Sequence, residues 1–199
     1  MIASLLSIDR IAIKRLDLKD SYSIHKLIYS LFPGTKRDFL YYEQGGDYNF
    51  KNILVLSKTQ PILVPNISLE SKIVPSSFLE HDCYAFQVLL NPVEQGVHER
   101  NKRPIRGDVA LHDWFKKKEK EWGFVSNSDS FEIFNQGVKI IEKQNKIITL
   151  NKAEFRGLLD VEDRERFFKS FNNGIGRGKA FGFGLLQLKK VNKKSFKEY

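Results

Sequence analysis

The chain has 199 residues, 41% of them hydrophobic, and its 33 Lys and Arg outnumber 24 Asp and Glu for a formal net charge of +9. That length and apolar content allow one domain or two small ones around a real core, and the charge fits either a polyanion partner or a merely basic surface. A single cysteine, Cys83, excludes an internal disulfide and a multi-thiolate metal site and predicts a reducing, intracellular home.

The apolar N-terminal residues Ile2, Leu5, Leu6 and Ile8 are cut short by Asp9 and Arg10, so neither a signal peptide nor a membrane span is expected. A soluble, cytoplasmic protein is expected. Ile2 to Ile13 lacks a helical stripe and reads as a buried strand. Asp20 or Ser21 then caps a helix whose Ile24, Leu27, Ile28 and Leu31 fall at i, i+3, i+4 and i+7, ending before Pro33-Gly34. At ~100° per residue, His25 projects about 110° from the centre of that stripe and shares its side with Tyr22 and Tyr29. Lys36 to Glu43 and Phe50 to Ser57 flank the turn-like Gln44-Gly45-Gly46-Asp47 and read as antiparallel strands. Pro61, Pro65 and Pro75 punctuate an irregular or helical piece, and Cys83 to Leu90 is a strand ended by Asn91-Pro92. Strand, helix, two strands, irregular or helical piece, strand is the ferredoxin-like order, so a first domain over 1–92 is expected.

Val93 to Gly107 reads as a linker or edge segment carrying His98, Arg100, Lys102, Arg103 and Arg106, a charge run that solvent alone would explain. Asp108 caps a helix to Trp122, apolar through Val109, Leu111, Trp114 and Phe115, with Gly123 behind it. Phe131 to Ile141 and Lys146 to Val161 read as long strands around Gln144-Asn145, and Asp163 caps a short helix packing through Phe167, Phe168 and Phe171. A glycine run, a last strand from Gly184 to Val191 and a basic, fraying tail from Lys189 follow. The expected fold class is α+β, with a second ferredoxin-like (RRM-like) domain over 93–199 in tandem with the first.

The glycine run selects for backbone geometry. Gly174, Gly176, Gly178, Gly182 and Gly184 permit positive φ and close backbone approach, and Arg177 and Lys179 add positive charge where amides are exposed, so a phosphate-bearing partner is one reading and a structural turn the other. A Walker loop fails, because Asn173 and Ala180 stand where Gly and Ser or Thr are needed. A dinucleotide fingerprint fails too, because Lys179 occupies the third glycine position and the run follows a helix and leads into a strand. Asp160, Glu162, Asp163 and Glu165 cluster only at a helix start, where capping and the helix dipole explain them. His81, His98 and His112 show no metal-ligand spacing, so no metal and no cofactor is expected. His25 can move a proton near neutral pH, with the phenol of Tyr22 one turn away, although such a pair is more often a surface or packing feature.

Taken in order, DSYSIHKLIYSLFP, KRDF, FQVLLNP, the Lys102-Arg103 pair and GIGRGKAFGFGLLQL closely resemble the Cas6e (CasE, Cse3) family, the CRISPR RNA-processing endoribonucleases of type I-E systems. The resemblance runs from about Ile2 to Leu188. It implies tandem ferredoxin-like domains that bind a CRISPR repeat hairpin, cut at its 3′ base without metal by 2′-hydroxyl attack, and stay bound to the product as a subunit of Cascade. It makes His25 the catalytic histidine and Tyr22 the active-site tyrosine and places the glycine run on the family's glycine-rich loop; Lys26, Lys102, Arg103, Arg106, Gly174, Gly176, Arg177, Gly178 and Lys179 are the residues expected to bind the RNA. Phe131 to Leu150 would be the hairpin that engages the RNA stem. One departure stands out: Gln87 and Leu89 occupy positions where relatives often carry arginines. The competing class is a non-catalytic hairpin RNA-binding subunit, although no RNP-type aromatic motif is evident.

Overall fold

The structure, a computed structural model, describes residues 1–34, 37–47, 49–95, 102–143 and 146–191. His98, Arg100, the Gln144-Asn145 turn and the end of the basic tail lie outside these residues.

The first half is a four-stranded antiparallel sheet in the order β2-β3-β1-β4, built from β1 (Ile2–Asp9), β2 (Phe39–Gly46), β3 (Phe50–Ser57) and β4 (Ser68–Ile73). Two helices, α1 (Arg10–Arg15) and α2 (Ser21–Ser30), fill the β1–β2 connection. Alternation along β2 explains why four consecutive residues, Phe39 to Tyr42, are buried: Phe39 and Tyr41 join the core beneath α2, with Ile24, Leu27, Ile28 and Leu31, whereas Leu40 and Tyr42 join the core of the other half. The sheet is therefore covered on both faces.

The second half repeats the plan. Strands β5 (Cys83–Leu90), β8 (Phe124–Ser126), β10 (Lys146–Val161) and β11 (Gln187–Lys190) lie in the order β11-β5-β10-β8. In each half the fourth strand lies beside the first, then the third, then the second. Helices α3 (Asp108–Trp122) and α4 (Arg164–Asn173) follow the first and third strands of this half, completing the ferredoxin-like order. Leu111, Phe115, Trp122, Phe124, Phe155 and Phe167 are buried between these helices and the sheet. A short hairpin of β6 (Val93–Gln95) and β7 (Lys102–Pro104) precedes α3, and β9 (Glu132–Lys143) pairs with β10 to form the long hairpin. The fold is two tandem ferredoxin-like halves. Among the described residues no helix is long and apolar enough to cross a membrane.

Several expectations from sequence are corrected. Cys83–Leu90 does not complete the first sheet: it pairs with β10 and β11 in the second, and Ser68–Ile73 takes the outer place beside β1. The reason is burial. SLESKI is an edge strand with exposed residues throughout except Leu69, so it carries no apolar alternation, whereas β5 is central and apolar on both faces. The first strand stops at Asp9, whose carboxylate accepts from the Ala12 amide and starts α1. The N-cap of α3 is Gly107 rather than Asp108; Val109 and Phe168 are exposed instead of packed. Lys189 and Lys190 end β11, and Val93–Gly107 contains a hairpin.

Candidate active site and nucleic-acid interface

Helix α2 begins with a capping box: the Asp20 carboxylate accepts from the Ser23 amide at 2.7 Å, and the Asp20 amide donates to Ser23 Oγ at 3.1 Å. The bond from the Ser23 amide to its charged form holds the Asp20 carboxyl below the usual carboxylate range. The cap fixes the start of the helix, and the apolar stripe fixes its rotation, leaving His25 half-buried at the margin. There the His25 ring lies 4.3 Å from Tyr29 and 5.1 Å from Phe181 between centroids, and Tyr22 stacks at 5.8 Å with 15° between planes. The exposed Lys26 places its ammonium 5.2 Å from the centre of the Tyr22 ring.

The glycine run reaches this helix from the other half. Nδ1 of His25 is 2.7 Å from the carbonyl oxygen of Ala180. A carbonyl only accepts, so Nδ1 carries the proton and Nε2 holds the lone pair of the neutral ring. Ala180 sits in a single 3-10 turn, Lys179–Phe181, between Gly178 and Gly182, both left-handed at φ 83° and 85°. A side chain at 182 would also place its Cβ 3.0 Å from the ring of Tyr41. Lys179 is turned into the loop: its ammonium donates to the carbonyls of Asn173 at 2.9 Å and Gly174 at 2.6 Å, closing the end of α4. Burial pushes its pKa below the ordinary lysine value. Gly174 packs beside Leu40, and Gly176 is exposed next to Arg177.

Lys102, Arg106, Arg177 and Gly178 line one cleft of ≈ 470 Å³, floored by Asn91, Leu150 and Asn151. The Asn151 amide donates to the Pro92 and Ile105 carbonyls at 3.1 and 2.7 Å, tying β10 to the segment that carries Lys102 and Arg106. Arg103 is exposed on β7, opposite Glu94 in register, and is not part of that lining. Of the expected residues, the structure thus joins His25 to the loop at Ala180, with Tyr22 stacked on His25 and Lys26 over Tyr22, and groups Lys102 and Arg106 with Arg177, three residues before Ala180 on that loop.

Two neighbours were not found from sequence. Tyr41 donates its hydroxyl to the same Ala180 carbonyl at 3.3 Å. Lys139 on β9 pairs with Glu43 at 2.6 Å and donates to the Phe181 carbonyl at 3.0 Å. They lie on different strands, so no spacing rule connects them. Gln87 turns to the interior: its amide donates to the Tyr42 hydroxyl at 3.1 Å and to Glu154 at 3.3 Å, and Tyr42 donates to Glu154 at 3.1 Å. Burial beside that carboxylate pushes the Tyr42 phenol up to about 12. Leu89 is core. Asp163 caps α4, accepting from the Arg166 amide, and among the described residues no three His, Cys, Asp or Glu gather where they could hold a metal.

The fold has counterparts among known proteins. A family model described as CRISPR associated protein matches residues 3–190. No curated protein matches the sequence significantly. Among solved structures, the CRISPR-associated protein Cas6e from Escherichia coli K-12 superposes with a TM-score of 0.77 at 19% identity, over 96% of this chain and 100% of that one. Thermus thermophilus Cse3, bound to an RNA representing a pre-cleavage complex, gives 0.74 at 20% identity over 95% and 99%. A chain of a CRISPR RNA-guided surveillance complex gives 0.73 at 17% identity over 96% and 100%. The resemblance to Cas6e read from the motifs therefore extends to the fold of both halves. Because the family model spans all but the ends of the sequence, the chain belongs to the CRISPR associated protein family.

Proposed function

We propose that this chain is a metal-independent endoribonuclease, which cuts CRISPR precursor RNA at the 3′ base of the repeat hairpin and stays on the product as a subunit of a type I-E Cascade complex in the cytoplasm. The observation that carries this reading is the bond from His25 to the Ala180 carbonyl, because it sets a proton-transfer group against the glycine loop whose preceding turn borders a basic cleft. The first half, strands β1 to β4 with α1 and α2, supplies the Tyr22 and His25 helix; the second, from β5 onward rather than from residue 93, supplies the loop, the cleft and the long hairpin. Support also comes from the fold shared with structures named CRISPR endoribonuclease Cse3 and CRISPR-associated protein Cas6e.

The chemistry uses what RNA has and DNA lacks. The 2′-hydroxyl attacks the adjacent phosphorus in line, the bond to the 5′-oxygen breaks, and a 2′,3′-cyclic phosphate and a 5′-hydroxyl result. One proton must leave the nucleophile and one must reach the leaving oxygen. His25 Nε2 can take the first when neutral or give the second when protonated, a contribution typically ~10²–10⁴-fold. Tyr22 orients the phosphate or helps the proton transfer. Lys26, Lys102, Arg103, Arg106 and Arg177 hold phosphates, and Gly174, Gly176, Gly178 and Lys179 shape the loop that meets the backbone.

The test is purified protein with repeat-hairpin RNA in EDTA under single-turnover conditions. A single cut with a cyclic phosphate end is expected. Cleavage that appears only with added divalent metal overturns metal independence; tight hairpin binding with no cut under either condition identifies a non-catalytic RNA-binding subunit instead.

A further inference from the structure

The Ala180 carbonyl has two donors, His25 Nδ1 at 2.7 Å and the Tyr41 hydroxyl at 3.3 Å. Tyr41 lies on β2, fully buried, with its ring against Gly182 and at the first half's side of the junction. The next carbonyl, of Phe181, is held by Lys139, which Glu43 of the same β2 strand pairs. Two successive peptide oxygens of a glycine-flanked turn are thus pinned from one strand and one hairpin. Left-handed glycines at 178 and 182 would otherwise leave this turn free to swing.

We propose that Tyr41 is a positioning residue: by anchoring the Ala180 carbonyl it fixes His25 as the Nδ1–H tautomer and so delivers Nε2 as the nitrogen that exchanges the proton with RNA. Burial raises the Tyr41 phenol far above its ordinary range, so it remains a donor at every pH at which the protein works. The hydroxyl cannot reverse roles with a carbonyl, so the anchor has one sense only. The catalytic consequence rests on the endoribonuclease reading above; the tautomer does not.

The experiment is ¹⁵N spectroscopy of histidine-labelled protein, assigned by His25→Gln, on the RNA-free wild type, Tyr41→Phe and, as a control, Tyr42→Phe, whose hydroxyl serves Glu154 rather than the loop. In the wild type above the histidine titration, His25 is expected to show a protonated Nδ1 and a pyridine-like Nε2, with a slowly exchanging Tyr41 hydroxyl proton. Tyr41→Phe is expected to mix the tautomers and to slow single-turnover cleavage about two- to tenfold, the worth of one neutral hydrogen bond, with hairpin affinity unchanged. Tyr42→Phe is expected to leave the His25 spectrum alone. A wild-type Nε2–H tautomer overturns the proposal, as does a Tyr41→Phe protein with unaltered spectrum and rate. If Tyr41→Phe does not fold, the wild-type tautomer and hydroxyl exchange decide alone. If the tautomer is as stated but no RNA is cut by the wild type, the endoribonuclease reading fails and the positioning stands.

Discussion

Alanine at Gly184 should damage the protein far more than alanine at Gly176, although both glycines are left-handed, at φ 80° and 68°. The shared backbone cost of a left-handed L-residue is about 1–2 kcal/mol. At 176, an exposed position, the new Cβ would meet only Leu90 Cδ2, at 3.1 Å, and a side-chain end can give way. At 184, a buried position, the Cβ would overlap the carbonyl oxygen of Ile175. That carbonyl is backbone, and Gly184 is itself held by two backbone bonds, donating to Leu89 at 2.8 Å and accepting from Ile175 at 2.9 Å. Relief therefore strains or breaks bonds worth about 1 kcal/mol each, on top of about 1–3 kcal/mol for overpacking. The expected losses are about 1–2 kcal/mol for Gly176→Ala and about 3–6 kcal/mol for Gly184→Ala. Urea unfolding of the two variants beside the wild type, followed by tryptophan fluorescence, measures both. Midpoints for the two variants within the equivalent of about 1 kcal/mol would refute the reasoning, because the backbone overlap would then carry no cost.

Three further outcomes are expected. His25→Ala should slow cleavage by ~10²–10⁴-fold while hairpin affinity stays within a few-fold, and a 2′-deoxy substitution at the cut site should block the wild type; single-turnover assays with separate binding measurements check both. Arg106→Ala and Arg177→Ala, which line one cleft, should each lower the slope of log affinity against log salt by about 1; an unchanged slope removes that side chain from the phosphate path. Stability should fall as pH rises from the ordinary tyrosine value of 10.0 towards about 12, because the unfolded chain loses the Tyr42 proton while the fold retains it. The contribution is complete below that lower value and gone above the upper one, so Tyr42→Phe should flatten the alkaline arm in urea midpoints measured across the window.

The sequence by itself determined whatever is written in local periodicity. The α2 stripe, the caps at Asp20 and Asp163, the long hairpin and the need for glycine between α4 and the last strand are readable because each depends on neighbours a few residues away. The side of α2 on which His25 and Tyr22 stand follows from the same periodicity. Tertiary structure alone decided which strands share a sheet: β4 is exposed and polar, and β5 is apolar on both faces, so the local pattern pointed to the wrong partner. It alone turned Lys179 inward to close α4, where sequence offers only a positive charge between glycines. Above all, only the packing of one half on the other brings Ala180 to His25 and Tyr41, contacts 155 and 139 residues apart in the chain, because a hydrogen bond is decided by position in space and a carbonyl carries no side-chain signature that a sequence could display.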